Sequence, residues 1–558
     1  MNKIDETDQL LLISFLTLAA FPLLYACRSL DNNALSSWQW VFARGGMVST
    51  FFAVAASAGI AFLLARLRIG ERREPLLLLL ISFVAVVPLW AEPELILDAS
   101  RYFLQAKYLE IHGISSFLRE WGREINAWTD LPAVPFLYGV IFRYLGETRF
   151  AVQMATTLLF SLTVLLTYRI GKILWDREAG FLAAVLLPAM PYLLVQTPLM
   201  LVDVPAMFLV TLSIDSFLHA VRRGGAARIL LSSCALVLAL FAKYSTWPML
   251  LVLPVIAAVS ARQDRAAAGR ALAVIIPAAV ASLLIILSRY DVFSAQMALL
   301  REYQWPGLGR WKEGFVSTFF FQVHPFVSLL ALWGVLVAVR KRDAWFLVPG
   351  WFAVFMLGLR VERIRYMLPL FPLLALMAGY GLRAFGEQRV RRFAAYAAAA
   401  ASLAIAFTAY LPFLNGTSMA NLRDAGKYLD GLPGAIVEVR TAPQRDSAGN
   451  TEAAIPLLDL FTRKRIVSRQ EPAVPPDSAR LAQSSLRFSW EPGAKAFYAR
   501  AADEETMPVA VISAGDMPPP PGRPLTLLAA FALDTGTFRY RTAVAVYDRG
   551  VPLAENAH

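Results

Sequence analysis

The sequence predicts a polytopic all-α membrane protein, with about 13 transmembrane helices and a small extracytoplasmic α/β or α+β domain at its C-terminal end. Three observations carry that prediction. The 558 residues are 57% hydrophobic and only 17% charged, with a mean hydropathy of +0.53. The apolar residues gather into runs such as LLISFLTLAAFPLLYA and LLLLLISFVAVVPLW, each long enough to cross hydrocarbon as a helix and separated by short charged links. After residue 413 the runs shorten, prolines cluster at Pro518–Pro521, and strand-like pieces appear at Ala435–Arg440, Val509–Ser513, Phe538–Arg541 and Ala543–Tyr547.

In chain order the predicted spans cover residues 8–27, 46–65, 76–91, 149–171, 180–197, 200–220, 228–243, 245–261, 271–288, 317–339, 344–360, 366–384 and 393–413. The first run ends in Leu24-Tyr25-Ala26-Cys27, which loosely resembles a lipoprotein cleavage box. Its leader MNKIDETDQ is net acidic where a signal needs basic residues, so a retained first helix is expected. Alternate links are basic: Arg66 to Arg73, Lys172 to Arg177, Arg222 to Arg228, Arg262 to Arg270, Arg340 to Arg342, and Arg383 to Arg392. The positive-inside rule puts these links in the cytoplasm. The N-terminus is then cytoplasmic, and residues 92–148, 289–316, 361–365 and everything after 413 lie outside. The long segments share one face, and the spans do not divide into two similar halves as those of inverted-repeat transporters do.

The net charge of +12 does not point to nucleic acid, because the basic residues sit in short links rather than on one face or tail. Cys27 and Cys234 lie within or at the end of apolar runs, and the four histidines show no CxxC or HExxH spacing, so neither a disulfide framework nor a zinc site is expected. Asn415-Gly416-Thr417 is a formal glycosylation sequon just past the last span, of a length that arises by chance.

Chemistry-bearing residues concentrate on the outer face. The first long loop opens with a segment in which Ala99, Tyr102, Phe103, Ala106 and Leu109 form an apolar stripe while Asp98, Arg101, Gln105 and Tyr108 share the other side. This predicts a helix starting near Asp98 and lying flat on the membrane interface, with a carboxylate and a guanidinium one turn apart at headgroup depth. The plain reading is that Asp98 caps the helix and Arg101 solvates it. Further along come Trp128 to Tyr138, with Asp130-Leu131-Pro132-Ala133 inside, and then Gly146-Glu147-Thr148-Arg149. Asp203 opens a span from the outer side, an expensive place for a carboxylate and therefore a functional candidate. Lys243-Tyr244-Ser245 occupies a tight outer turn, and Arg360 to Pro369, with Glu362, Arg363, Arg365 and Tyr366, occupies another. Each alone fits an interfacial anchor, but arginines in a short outer link run against the charge rule.

The order and sidedness of these motifs resemble the GT-C superfamily of membrane glycosyltransferases, and within it the protein O-mannosyltransferases and the lipid A aminoarabinose transferases, a glycosyltransferase family 39-like group. The resemblance covers residues 76 to about 413. It rests on Asp98, Arg101 and Tyr102 in the first loop, Pro132 to Tyr138, Gly146 with Arg149, Asp203 at a span entrance, and Arg365 to Pro369. Relatives often carry an acidic pair where Ala99 follows Asp98 here, and His or Glu-Lys before Pro-Pro where this chain has Asp130-Leu131-Pro132-Ala133. Lys243 or Lys107 is then the candidate for the missing lysine, and Asp130 for the acidic position linked to a divalent metal ion in some relatives. The two spans within residues 1–75 are additional to the usual start, leaving a catalytic core over 76–413 and the soluble domain over 414–558.

The resemblance implies transfer of a sugar from a polyprenyl-phosphate donor in the membrane lipid to an extracytoplasmic lipid, glycan or protein acceptor. Such a donor is already activated, so the enzyme needs a base for the acceptor hydroxyl and cations for the departing phosphate. Asp98 is the expected base of an inverting displacement, with Asp203 orienting the acceptor or the neighbours of Asp98. Arg101, Lys243, Arg363, Arg365 and Tyr366 are expected at the donor phosphate, and Tyr102, Asp130 and Tyr244 as substrate-positioning groups. The rival from another class is a transporter or flippase using Asp203 and Lys243 as a coupling site, and the rival within the transferases is an oligosaccharyl or polymer-assembling enzyme.

Overall fold

The computed structural model describes residues 5–31, 38–67, 70–94, 98–305, 314, 317–359, 363–417, 419–442, 450–468, 481, 487–490, 495–498, 507–513, 525–532 and 542–548. Arg360, Glu362, Pro518–Pro521 and the expected strand Phe538–Arg541 lie outside the described residues. The chain forms two compact units, one of Met1–Ala91, Trp128–Val134 and Gln153–Phe413, the other of Glu92–Ala127, Pro135–Val152 and Leu414–His558.

The first unit is helical. Among the described residues, eight helices are long and apolar enough to cross a membrane: Glu6–Leu30, Met47–Arg66, Glu74–Ala91, Arg149–Leu174, Asp203–Arg223, Ala266–Ser288, Ile364–Arg383 and Gln388–Asn415. The other five expected spans fall on shorter or interrupted helices. Residues 180–197 break at Pro188 and Pro191 into Arg177–Leu186, a 3₁₀ turn and Pro191–Gln196, because proline withholds an amide proton from the helical ladder. Residues 317–339 break at His324, whose backbone is extended and whose ring nitrogen accepts from the Phe326 amide at 3.2 Å to start Pro325–Lys341. Ala226–Leu240, Thr246–Ala261 and Ala344–Gly358 are short apolar helices.

Burial separates centre from rim. In Ile364–Arg383 94% of the apolar stretch is buried, whereas in Ala266–Ser288 the share is 22%. Small residues permit the close approach at the centre: a Cβ on Gly334 or on Gly381 would run into the backbone of the facing helix. The additional N-terminal spans dock by the same device, with Ala61 and Ala65 of Met47–Arg66 packed on Phe393 and Ala397.

The basic links expected to be topogenic are also paired. Glu74, fully buried, accepts from Arg177 through two hydrogen bonds of 2.8 Å and from Arg392 at 3.2 Å. Nearby in sequence, Arg391 meets Glu178 at 3.0 Å and Arg389 meets Glu6 at 3.0 Å. These contacts tie the ends of helices that hydrophobic packing in lipid orients only weakly.

The second unit combines the first loop with the C-terminal residues. Its sheet has the order β2-β1-β3-β5-β4, with β1 Ile436–Thr441, β2 Arg465–Val467, β3 Val509–Ser513, β4 Thr526–Phe531 and β5 Ala543–Asp548. β1 runs parallel to β2 and β3, while β5 is antiparallel to β3 and β4. The all-buried β3 lies central, as its unbroken Val-Ala-Val-Ile run requires. Ala420–Asp430 and the short helix Ile455–Phe461 complete the layer, the latter buried along nearly its whole length.

Candidate active site

In the first unit a tight turn at Leu199–Val202 delivers Asp203 as the first residue of its helix, with the carboxylate fully enclosed. Lys243 leaves the turn after Ala226–Leu240 and donates from Nζ to Oδ1 at 2.5 Å. Arg365, in the first turn of Ile364–Met367, donates from Nε to Oδ2 at 2.7 Å. Tyr366 lies beneath two cations, with Lys243 Nζ 4.9 Å and Arg363 Cζ 5.1 Å from its ring centre, and its hydroxyl accepts from Arg363 at 3.5 Å. Arg363 and Arg365 are both buried. These groups therefore place two cations, Lys243 and Arg365, on one carboxylate, with Arg363 a third beside Tyr366, at the N-terminal ends of two spans whose helix dipoles also present positive charge. Guanidinium and ammonium groups held in fixed directions are of the kind that matches the oxygens of a phosphate.

Each carboxylate oxygen of Asp203 holds a cation, Oδ1 meeting Lys243 and Oδ2 meeting Arg365. Tyr244 and Asp130 are brought together by a residue the sequence reading missed. The Tyr244 hydroxyl donates to Gln296 Oε1 at 2.7 Å, and Gln296 Nε2 donates to the Asp130 carbonyl at 2.7 Å. Burial raises the Tyr244 hydroxyl above its ordinary value, keeping it a proton donor. Leu131 packs on Phe241 and Phe293, and the Ala133 amide donates to the Phe241 carbonyl at 3.1 Å, so residues 128–134 are pinned beside the Lys243 turn. A buried glutamine on Tyr290–Leu299, beside the apolar Val292 and Phe293, was the available signal. Among the described residues no three His, Cys, Asp or Glu side chains gather to hold a metal ion, and no step below passes through one.

In the second unit the expected helix starts at Asp98 and runs to Glu120, turning sharply at Gly113, where φ is 84°. Asp98 is half-buried, and Tyr102 is buried one turn on. The side expected to face outward is enclosed as well: Arg101 is 9% exposed and Gln105 3%, with Gln105 Nε2 donating to the Asn126 carbonyl at 3.0 Å. The first turns of this helix are therefore a packed core element rather than a strip lying on the interface. Lys107, considered for the missing lysine, is held elsewhere, with Glu147 at 2.7 Å and Asp459 at 2.6 Å. Arg149 meets Glu94 at 3.3 Å and donates to the Glu92 carbonyl, and its guanidinium lies 5.3 Å from the Phe461 ring centre.

The fold is that of solved ArnT structures, and part of the chain matches a mannosyltransferase family model. Residues 130–290 match the family model described as dolichyl-phosphate-mannose-protein mannosyltransferase. Among solved structures, ArnT from Cupriavidus metallidurans in the apo state aligns with a TM-score of 0.53 at 14% identity, over 84% of this chain and 97% of that one. The same protein bound to undecaprenyl phosphate gives 0.52 at 13% identity over the same shares. No curated protein matches the sequence.

Proposed function

We propose that this protein is a multi-pass membrane glycosyltransferase that moves a sugar from a polyprenyl-phosphate donor to an extracytoplasmic lipid, glycan or protein acceptor. The observation that carries the reading is the grouping of Lys243, Arg363 and Arg365 around Asp203 and Tyr366. A departing lipid phosphate gains negative charge as the glycosidic bond breaks, and prearranged cations in a site poor in water stabilise that charge without reorganising. The binding of undecaprenyl phosphate by ArnT supports the same donor chemistry. Tyr366 contributes its ring face to the cations, and Tyr244 with Asp130 shapes the wall beside them.

Asp98 is the proposed base, removing the acceptor proton as the phosphate leaves in an inverting displacement. It stands in the first turn of its helix, half-buried, where a carboxylate complements the helix dipole. Arg101, one turn on, is proposed at the donor phosphate and Tyr102 as a substrate-positioning group. The reading divides the chain into an added pair of spans over 1–75, a catalytic core over 76–413 and an extracytoplasmic C-terminal domain over 414–558, with the active site on the same outer face.

The test is purified full-length protein in lipid discs with labelled polyprenyl-phosphate sugars. Transfer or release of sugar supports the reading. Uptake into sealed vesicles with the donor intact would replace it with a carrier. Asp98→Asn, inserted and folded as the parent, is expected to lower kcat by about 10²- to 10⁴-fold, and full activity would remove the base assignment.

A further inference from the structure

Lys107 lies nine residues after Asp98 on the same helix, before the sharp turn at Gly113. A rigid helix of that length spans about 14 Å, so whatever fixes Lys107 also fixes the register and tilt of Asp98 and Arg101. The ammonium of Lys107 is gripped by Glu147 at 2.7 Å and by Asp459 at 2.6 Å, with the rings of Phe103 and Tyr498 at 5.2 and 5.6 Å from it. Asp459 sits on the helix Ile455–Phe461 and accepts a second hydrogen bond from the Tyr498 hydroxyl at 2.8 Å. Lys107 and Glu147 are only slightly exposed, and Asp459 is buried. The following residue but one on that helix, Phe461, stacks under Arg149, which in turn holds Glu94 ahead of Asp98. One short helix of the C-terminal segment therefore touches both the helix that follows Asp98 and the residue that closes the first loop, Arg149.

We infer that Asp459, together with Tyr498, is a positioning residue for the helix bearing Asp98, so that the C-terminal segment acts as a brace setting the geometry of the outer loop. The inference rests on the reading of Asp98 as base. Of the other anchors of this helix, Leu109 seated against Gly139 and Phe103 against Phe142 are apolar contacts that tolerate small slides. The charged knot is directional, and losing the Asp459 charge takes from Lys107 its ionised partner and leaves it only the Glu147 hydrogen bond.

Asp459→Asn in the full chain tests this. Expected are a fall in kcat of about tenfold, a KM for the polyprenyl-phosphate sugar within about twofold of the parent, and faster amide hydrogen exchange over residues 98–110. A parent without transferase activity would sink the function while the exchange measurement still decides the brace. An active parent with unchanged kcat and unchanged exchange in the variant would overturn the brace and leave the function standing. If Asp459→Asn fails to fold, Tyr498→Phe decides, since it removes one hydrogen bond and no charge. Loss of about half or more of kcat at constant KM supports the brace, and no change overturns it.

Discussion

Two buried ionic clusters in this chain have opposite charge balance. Around Asp203, two cations face one carboxylate, and a third, Arg363, lies over the neighbouring Tyr366. Around Lys107, one cation faces Asp459 and Glu147, and Glu110 is hydrogen bonded to Glu147. Burying charge is costly in both places, and the two clusters meet the cost differently. The acid-rich cluster can balance itself with protons: burial, then the Glu110 hydrogen bond, pushes Glu147 up to about 8 against the pull of Lys107. Burial likewise pushes Asp459 up to about 6, with Lys107 opposing it. Arginine gives up no proton in the physiological range, so the cation-rich cluster keeps its charge, which in the proposed function meets the donor phosphate. The acid-rich cluster is thus suited to hold structure and the cation-rich one, in that proposal, to bind a ligand.

The contrast can be broken most severely at Asp203. Its alanine variant strands Lys243 and Arg365 in a buried site, with an expected loss of about 3–5 kcal/mol in stability, read by thermal unfolding in detergent. Added polyprenyl phosphate is expected to recover part of that loss, since the anion takes over as partner, and the same ligand should stabilise the parent less. Next in size, Lys243→Met is expected to weaken polyprenyl-phosphate binding by about tenfold, measured by titration, with unfolding temperature little changed. An unaltered affinity would mean that the cluster is not a phosphate receptor.

The smallest effect concerns Glu147. Its carboxyl keeps a proton in the folded protein between the ordinary value of 4.5 and about 8, whereas the unfolded chain has lost it. Its contribution to stability therefore falls as pH rises through that window. The parent is expected to lose melting temperature relative to Glu147→Gln from pH 5 to pH 8, the gap levelling off above 8. The groups facing it are Lys107, Glu110, Asp459 and Tyr498. Parallel curves would show that Glu147 is not the titrating group.

Much of this was legible in the sequence because it is local. The apolar runs have the length of a span, and Val509–Ser513 matches β3 residue for residue, since a short apolar run rich in β-branched residues suits a strand buried on both faces. Asp98 as a helix start and Asp203 as a span entrance follow from a carboxylate beside an apolar stretch. What escaped depends on residues far apart. Lys107 and Asp459 are separated by 352 positions, and no periodicity links them. Burial of Arg101 and Gln105 was hidden because their polarity reads as exposure unless the covering segment is known. Gln296 joins Tyr244 to Asp130 across 166 residues by the same kind of connection.

The Glu74 knot has a consequence in time. Glu74 is synthesised 103 residues before Arg177 and 318 before Arg392. At about 5–20 residues per second, the carboxylate of the third span waits tens of seconds for its second arginine. During that interval a buried acid has no complete set of partners, so the early hairpins must stay loosely associated until the last span arrives to lock the bundle.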